Sequence, residues 1–186
     1  MSGDRVYPDE PAGPFESPPV SFVDREGRDV EIRPYPDDAD GEHDEDEFES
    51  LVEMYTEFDP ADRAQGIPPG RESDVRSWLE TILGDDGYNV VAWDDDAVAG
   101  HATLVPDGDA YELAIFVLQA YQGAGIGTRL MEALLGHGAA NGVDKVWLTV
   151  ERWNRAAVGL YKKVGFETSD AESFELEMTA VLADPA

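Results

Sequence analysis

Gln122-Gly123-Ala124-Gly125-Ile126-Gly127-Thr128 follows a run of alternating apolar residues and opens a stretch of helical periodicity. Glycines at 123, 125 and 127 allow a tight backbone turn and a close approach by a ligand. Between a strand and a helix, the free N–H groups of such a loop and the helix dipole favour an anion, and a pyrophosphate suits the geometry. Three patterns compete. A dinucleotide site needs Gly-x-Gly-x-x-Gly, but counted from Gly123 the third position is Thr128, and the unit lies late in the chain instead of opening a βαβ repeat. A triphosphate loop needs Gly-Lys-Ser/Thr, which is absent. The third pattern, Gln/Arg-x-x-Gly-x-Gly/Ala, fits at Gln122, Gly125 and Gly127. A glycine-rich helix start without a ligand is the bland reading.

Outward from the loop, the periodicities order the rest of the chain. Ala110–Leu118 alternates as a strand, and Tyr88–Trp93 and Val98–Val105 are expected to form a hairpin across Asp94-Asp95-Asp96. Further upstream, Phe48, Leu51, Val52, Tyr55 and Phe58 recur at helical spacing. So do Val75, Trp78, Leu79, Ile82 and Leu83. The acidic run Asp37–Glu47 leads into the first of these helices, and Val30–Arg33 reads as a strand before it. Downstream, Ile126, Leu130 and Leu134 mark a helix, Val146–Val150 a strand and Asn154–Val164 a helix. Residues 173–181 alternate as a half-exposed closing strand. The expected fold is α/β (mixed α+β): a central mixed, mostly antiparallel sheet flanked by helices, in the order β-α-α-β-β-β-α-β-α-β. No internal repeat is visible.

A chain of 186 residues suits one domain with a real core. Residues 1–28 carry Pro8, Pro11, Pro14, Pro18 and Pro19 among few apolar residues and are expected to form an arm, leaving 29–186 as the domain. The absence of cysteine excludes disulfides and thiolate chemistry, and His43, His101 and His137 lie too far apart for a zinc signature, so no metal is expected. Nothing reads as a membrane span or a signal peptide, which points to a cytoplasmic protein without a membrane partner. The 41 acids against 13 bases give a net charge of −28, spread through foldable segments. That pattern suits concentrated salt, where a Debye length of ~3 Å at 1 M screens self-repulsion, and it argues against a nucleic-acid partner. Between Tyr121 and Gly165, however, six bases face three acids, a local surplus that suits an anionic ligand. Ordinary helix pairing or self-association is the alternative reading of that patch.

Tyr121–Leu130, with Asn154-Arg155-Ala156-Ala157 and Leu160-Tyr161-Lys162-Lys163-Val164-Gly165-Phe166, resembles the paired motifs of the GNAT superfamily of N-acetyltransferases. The likeness runs from about Val30 to Leu182. It implies the GNAT fold, acetyl-CoA as acyl donor and direct transfer to an amine acceptor, protein or small molecule. A homodimer is left open. The resemblance places the cofactor against Phe116, Val117, Gln122, Gly123, Ala124, Gly125, Ile126, Gly127, Thr128, Asn154 and Tyr161, with the pantetheine arm between the strand ending at Leu118 and the strand Val146–Val150.

Tyr161 matches the family tyrosine that protonates the departing thiolate; a packing tyrosine beside Leu160 and Val164 is the other reading. Asn154 matches a pantetheine contact and also suits the N-cap of its helix. Glu112 interrupts the apolar face formed by Ala114, Phe116 and Leu118, where burial is expected to raise its pKa toward that of a useful base. Ala110–Val117 also resembles the strand of protein-lysine acetyltransferases that carries the basic glutamate. A strand-end glutamate facing water is the alternative. Trp153 and the loop Phe58–Gly70, with Asp59, Asp62, Arg63 and Gln65, are expected to border the acceptor; an ordinary solvated loop is the equal alternative. The resemblance favours a protein lysine or N-terminal amine, whereas the acidic surface also suits a polyamine. A catalytically silent coenzyme A sensor is the rival from another class.

Overall fold

Period-two alternation in Tyr88–Asp94 sends Val90 and Ala92 to one apolar cluster and Val91 and Trp93 to another. A strand apolar on both faces needs a layer on each side. The computed structural model supplies both, and describes residues 5–36, 45–62, 68–84, 86–171 and 174–185. Its elements are β1 (Val20–Val23), β2 (Asp29–Tyr35), α1 (Glu45–Thr56), α2 (Glu72–Ile82), β3 (Tyr88–Asp94), β4 (Ala97–Asp107), β5 (Ala110–Val117), α3 (Ile126–Ala140), β6 (Lys145–Glu151), α4 (Arg155–Val164), β7 (Glu167–Asp170) and β8 (Glu175–Val181). They form an eight-stranded sheet ordered β1-β2-β3-β4-β5-β6-β8-β7. The mixed, mostly antiparallel fold expected from the periodicities is the one observed.

On one face, Ile126, Leu130, Met131, Leu134 and Leu135 of α3 pack against Val30, Ile32, Val90, Ala102 and Leu104. Each fully buried leucine contributes roughly 1.5–3 kcal/mol of transfer free energy. On the other face, Leu51, Val52 and Tyr55 of α1 and Val75 and Leu79 of α2 cover Val91, Trp93 and Val98. The first turn of α1 holds Glu45, Asp46 and Glu47, where negative charge complements the helix dipole.

Two short strands add to the expected order. β1 lies within the proline-rich arm and pairs antiparallel with β2, while β7 pairs with β8. Each spans four residues, too few for alternation to stand out. From Arg5 onward the arm touches the body of the fold at several points. Arg5 lies 3.7 Å from the Trp147 ring centroid, and Ala12 donates to the Val181 carbonyl (2.7 Å) and accepts from the Ala183 amide (2.8 Å). The Glu16 backbone crosses α3 where Gly136 has no Cβ; any side chain there would strike the Glu16 carbonyl. Among the described residues no helix is long and apolar enough to cross a membrane.

Candidate active site

β5 and β6 are parallel and are joined through α3, as a parallel pair requires. Their register covers only Tyr111↔Val146 and Glu112↔Trp147, after which the strands separate. The other edge of β5 stays paired with β4 through Val117, and Leu118 donates to the Ala99 carbonyl at 2.9 Å. Alternation therefore turns the backbone groups of Ile115 and Val117 away from β4, into the gap left by β6. Gln122 Nε2 closes the end of that edge by donating to the Val117 carbonyl at 3.0 Å. The gap is a cleft of about 330 Å³ lined by Phe58, Ile115, Phe116, Val117, Gln122, Gly127, Asn154, Ala157, Leu160 and Tyr161.

The loop at its mouth needs its glycines. Gly123 has φ of 76° and Gly125, the N-cap of α3, has φ of 90°, in the left-handed region that side chains disfavour. No side chain caps this helix, so the amides of its first turn, Ile126, Gly127 and Thr128, are free for an outside acceptor. Ile126 and Ala124 turn their side chains into the core and offer only backbone to the mouth. Across the cleft, Asn154 accepts from the Ala157 amide at 3.2 Å and caps α4, so its N-cap role holds while it also lines the cleft. Tyr161 lies on the same helix, 9% exposed; burial pushes its phenol up to about 12. Its hydroxyl makes no hydrogen bond among the described residues and is a protonated donor throughout the neutral range.

Residues 24–28, the end of the expected arm, dock on its loop. Asp24 ties the β1–β2 turn by accepting from the Glu26 and Arg28 amides (2.9 Å each) and from Arg28 Nε (2.7 Å). Burial works to raise the Asp24 carboxyl, but these hydrogen bonds outweigh it and hold the pKa below the usual carboxylate range. The turn meets the loop where Arg25 N–H donates to the Ala124 carbonyl (3.0 Å) and Arg28 Nη1 to the Ala120 carbonyl (3.2 Å). The sequence offers one clue to the turn, the Asp24/Arg28 spacing; its docking is a long-range contact that local pattern cannot show.

The other wall is aromatic. Phe116 points away from α3 into a group with Tyr55, Phe58 and Trp78, at centroid distances of 5.6, 6.3 and 5.5 Å. Behind it, His101 Nε2 stands 2.8 Å from Asn89 Oδ1, an acceptor, and so carries the proton. Nδ1 then accepts from the Tyr55 hydroxyl at 2.6 Å. Burial lowers His101 to about 3, so the ring is neutral. Sequence reasoning missed this triad, since its members share no local motif.

Glu112 lies outside the lining of the cleft and is exposed, four residues along β5 from Phe116 or roughly 13 Å at strand spacing. It faces the side of the sheet that α1 and α2 cover. Partial burial raises its pKa, the negative Asp107 adds to the rise, and Arg5 opposes it. Trp153 does not enter the cleft; it is 63% exposed, 6.5 Å from the still more exposed Phe174 ring. Of the expected acceptor loop, the Asp62 side chain, Arg63 and Gln65 lie outside the described residues, while Asp59 caps the turn by accepting from the Ala61 amide at 2.9 Å.

Comparison with known proteins bears on this arrangement. The family model described as the acetyltransferase (GNAT) family matches residues 48–166. An uncharacterized N-acetyltransferase of Mycobacterium tuberculosis is 32% identical over 84 residues, 44% of this chain and 54% of that protein. An L-methionine sulfoximine/L-methionine sulfone acetyltransferase of Pseudomonas aeruginosa is 29% identical over 105 residues, 50% of this chain and 59% of that one. The chain thus spans about half the length of these relatives. Among solved structures, the GNAT domain of S. lividans PAT superposes with a TM-score of 0.70 at 18% identity, over 88% of this chain and 96% of that domain, which establishes the fold.

Proposed function

The chain belongs to the GNAT acetyltransferase family, and from that premise we propose that it transfers the acetyl group of acetyl-CoA directly to a primary amine, a protein lysine or N-terminal amine. The carrying observation is the convergence on one cleft of a free strand edge, a glycine turn at an uncapped helix and the pair Asn154 and Tyr161. The first-turn amides of α3 suit a pyrophosphate. The free edge of β5 suits an extended arm carrying amide groups, in the manner of an added strand. Acetyl-CoA, when bound, would supply the thioester that the amine attacks, the new N–C bond replacing the C–S bond and coenzyme A leaving as the thiolate.

The residues divide the work. The Val117 N–H, on the free edge, donates to the thioester oxygen as charge develops on it. Tyr161 donates its phenolic proton to the leaving sulfur. Glu112 takes the amine proton through water, since its carboxylate stands outside the cleft lining; desolvation raises its pKa, which makes it a stronger base than an ordinary carboxylate. Asn154 orients the pantetheine arm with the amide hydrogens that its capping role leaves free.

A small cationic amine such as a polyamine is the second reading, favoured by the net charge of −28, which draws cations to the surface. The test is thiol release from acetyl-CoA with a lysine peptide, a peptide with a free N-terminus and spermidine, followed by mass spectrometry of the acceptor. An acetylated peptide supports the proposal, and turnover with spermidine alone replaces it with the second reading. Coenzyme A binding without turnover on any amine would leave a silent binding module instead.

A further inference from the structure

The β1–β2 turn is fixed at both ends, and it places one arginine at the mouth of the donor site. Arg25 follows the buried Asp24 anchor, and its own N–H holds Ala124, so its Cα is locked to the glycine loop. A Cβ on Gly125 would stand 3.7 Å from Arg25 Nε and 3.9 Å from Cζ, with no other atom nearer. The guanidinium therefore lies over the open face of the residue that caps α3. It is exposed, and among the described residues it makes no ion pair and donates no hydrogen bond, in a chain where 41 acids surround 13 bases. The neighbouring cations of the turn and helix are engaged otherwise. Arg28 pairs with Asp24 and lies 4.5 Å from the Tyr121 ring centroid, and Arg129 lies 5.3 Å from that of Phe22. Selection for acid-rich surface leaves an unpaired arginine beside free helix amides where an anion docks between them.

Resting on the acetyl-CoA reading above, we propose that Arg25 is a ligand of the donor's pyrophosphate, so that the hairpin forms a third wall of the site beside α3 and α4. The wall comes from a segment distant in sequence from the glycine motif.

Arg25→Gln and Arg25→Glu test this, with titration calorimetry of coenzyme A and 3′-dephospho-coenzyme A at fixed KCl. The side chain supports nothing else, so ligand-free melting should match the wild type. Charge-assisted contacts of this kind predict about a tenfold weaker Kd for the glutamine variant and a larger loss for the glutamate. The loss should be equal for both ligands. An unchanged Kd in both variants would overturn the assignment. A loss seen with coenzyme A but absent with the dephospho form would overturn it too, by moving the contact to the 3′-phosphate. Failure of the wild type to bind coenzyme A would sink the acetyl-CoA reading itself, an outcome distinct from either.

Discussion

The wall of the cleft proposed to hold the donor is built of backbone, and the wall proposed to face the acceptor is built of side chains. On the donor side, free amides of α3, the β5 edge and left-handed glycines set the chemistry, and the nearby charge is positive. On the acceptor side, Phe58, Phe116 and Trp78 pack around Tyr55, and burial holds both ionisable groups of the triad, Tyr55 and His101, neutral. A backbone site needs glycine at fixed offsets, so it leaves a pattern in the sequence. A site of packed rings uses residues that any core uses, so it leaves none.

Four changes break or sharpen the contrast. The largest effect is expected from Gly125→Glu, which strains a φ of 90° and sets a carboxylate where the proposed pyrophosphate would dock. It should abolish the rise in melting temperature on adding acetyl-CoA; NAD and ATP should give no rise in the wild type, and an equal rise with NAD would contradict the donor. Next, Glu112→Gln should lower turnover by roughly 10²–10⁴-fold with acetyl-CoA affinity intact. The carboxylate must be deprotonated to accept the amine proton, so the wild-type rate falls as pH drops through its raised pKa, above the usual carboxylate range. The glutamine variant should lose that acidic limb; an unshifted limb at full rate would return Glu112 to a surface role. Third, Tyr161→Phe should cost about tenfold in turnover, less than Glu112→Gln, because water can protonate a thiolate. A larger loss than at Glu112 would reverse the ranking.

The smallest and most diagnostic change is in salt. Dilution from molar to tens of millimolar KCl lengthens the screening distance several-fold. The acidic body should then melt earlier, by circular dichroism, while the cationic mouth binds coenzyme A more tightly per folded molecule. Parallel movement of both quantities, or no change in melting, would show that the charge is not arranged as two opposed regions.

The sheet and the donor loop were legible because β3, β4 and β5 alternate over seven residues or more and the glycines are local. β1 and β7 were not, being short. The His101–Tyr55–Asn89 triad and the docking of Arg25 were invisible for a different reason: both join residues far apart in sequence, and their types are ordinary. Glu112 shows a subtler limit. Alternation assigned its face correctly, beside Phe116, but facing a helix layer is not the same as lying beneath it. α1 and α2 cover Phe116 and leave the start of β5 open, so the carboxylate is exposed.

The tie between Ala12 and the last strand has a consequence for biosynthesis. Ala12 pairs with Val181 and Ala183, and Val6 accepts from the Thr179 hydroxyl at 2.6 Å. During synthesis the segment holding Val6 and Ala12 therefore finds its partner only after β8 has been made, the Val6–Thr179 contact spanning 173 residues. Contacts of such sequence separation form late and slowly. Until then that segment waits in solvent, where its prolines and acids are poor material for a stray β-pairing.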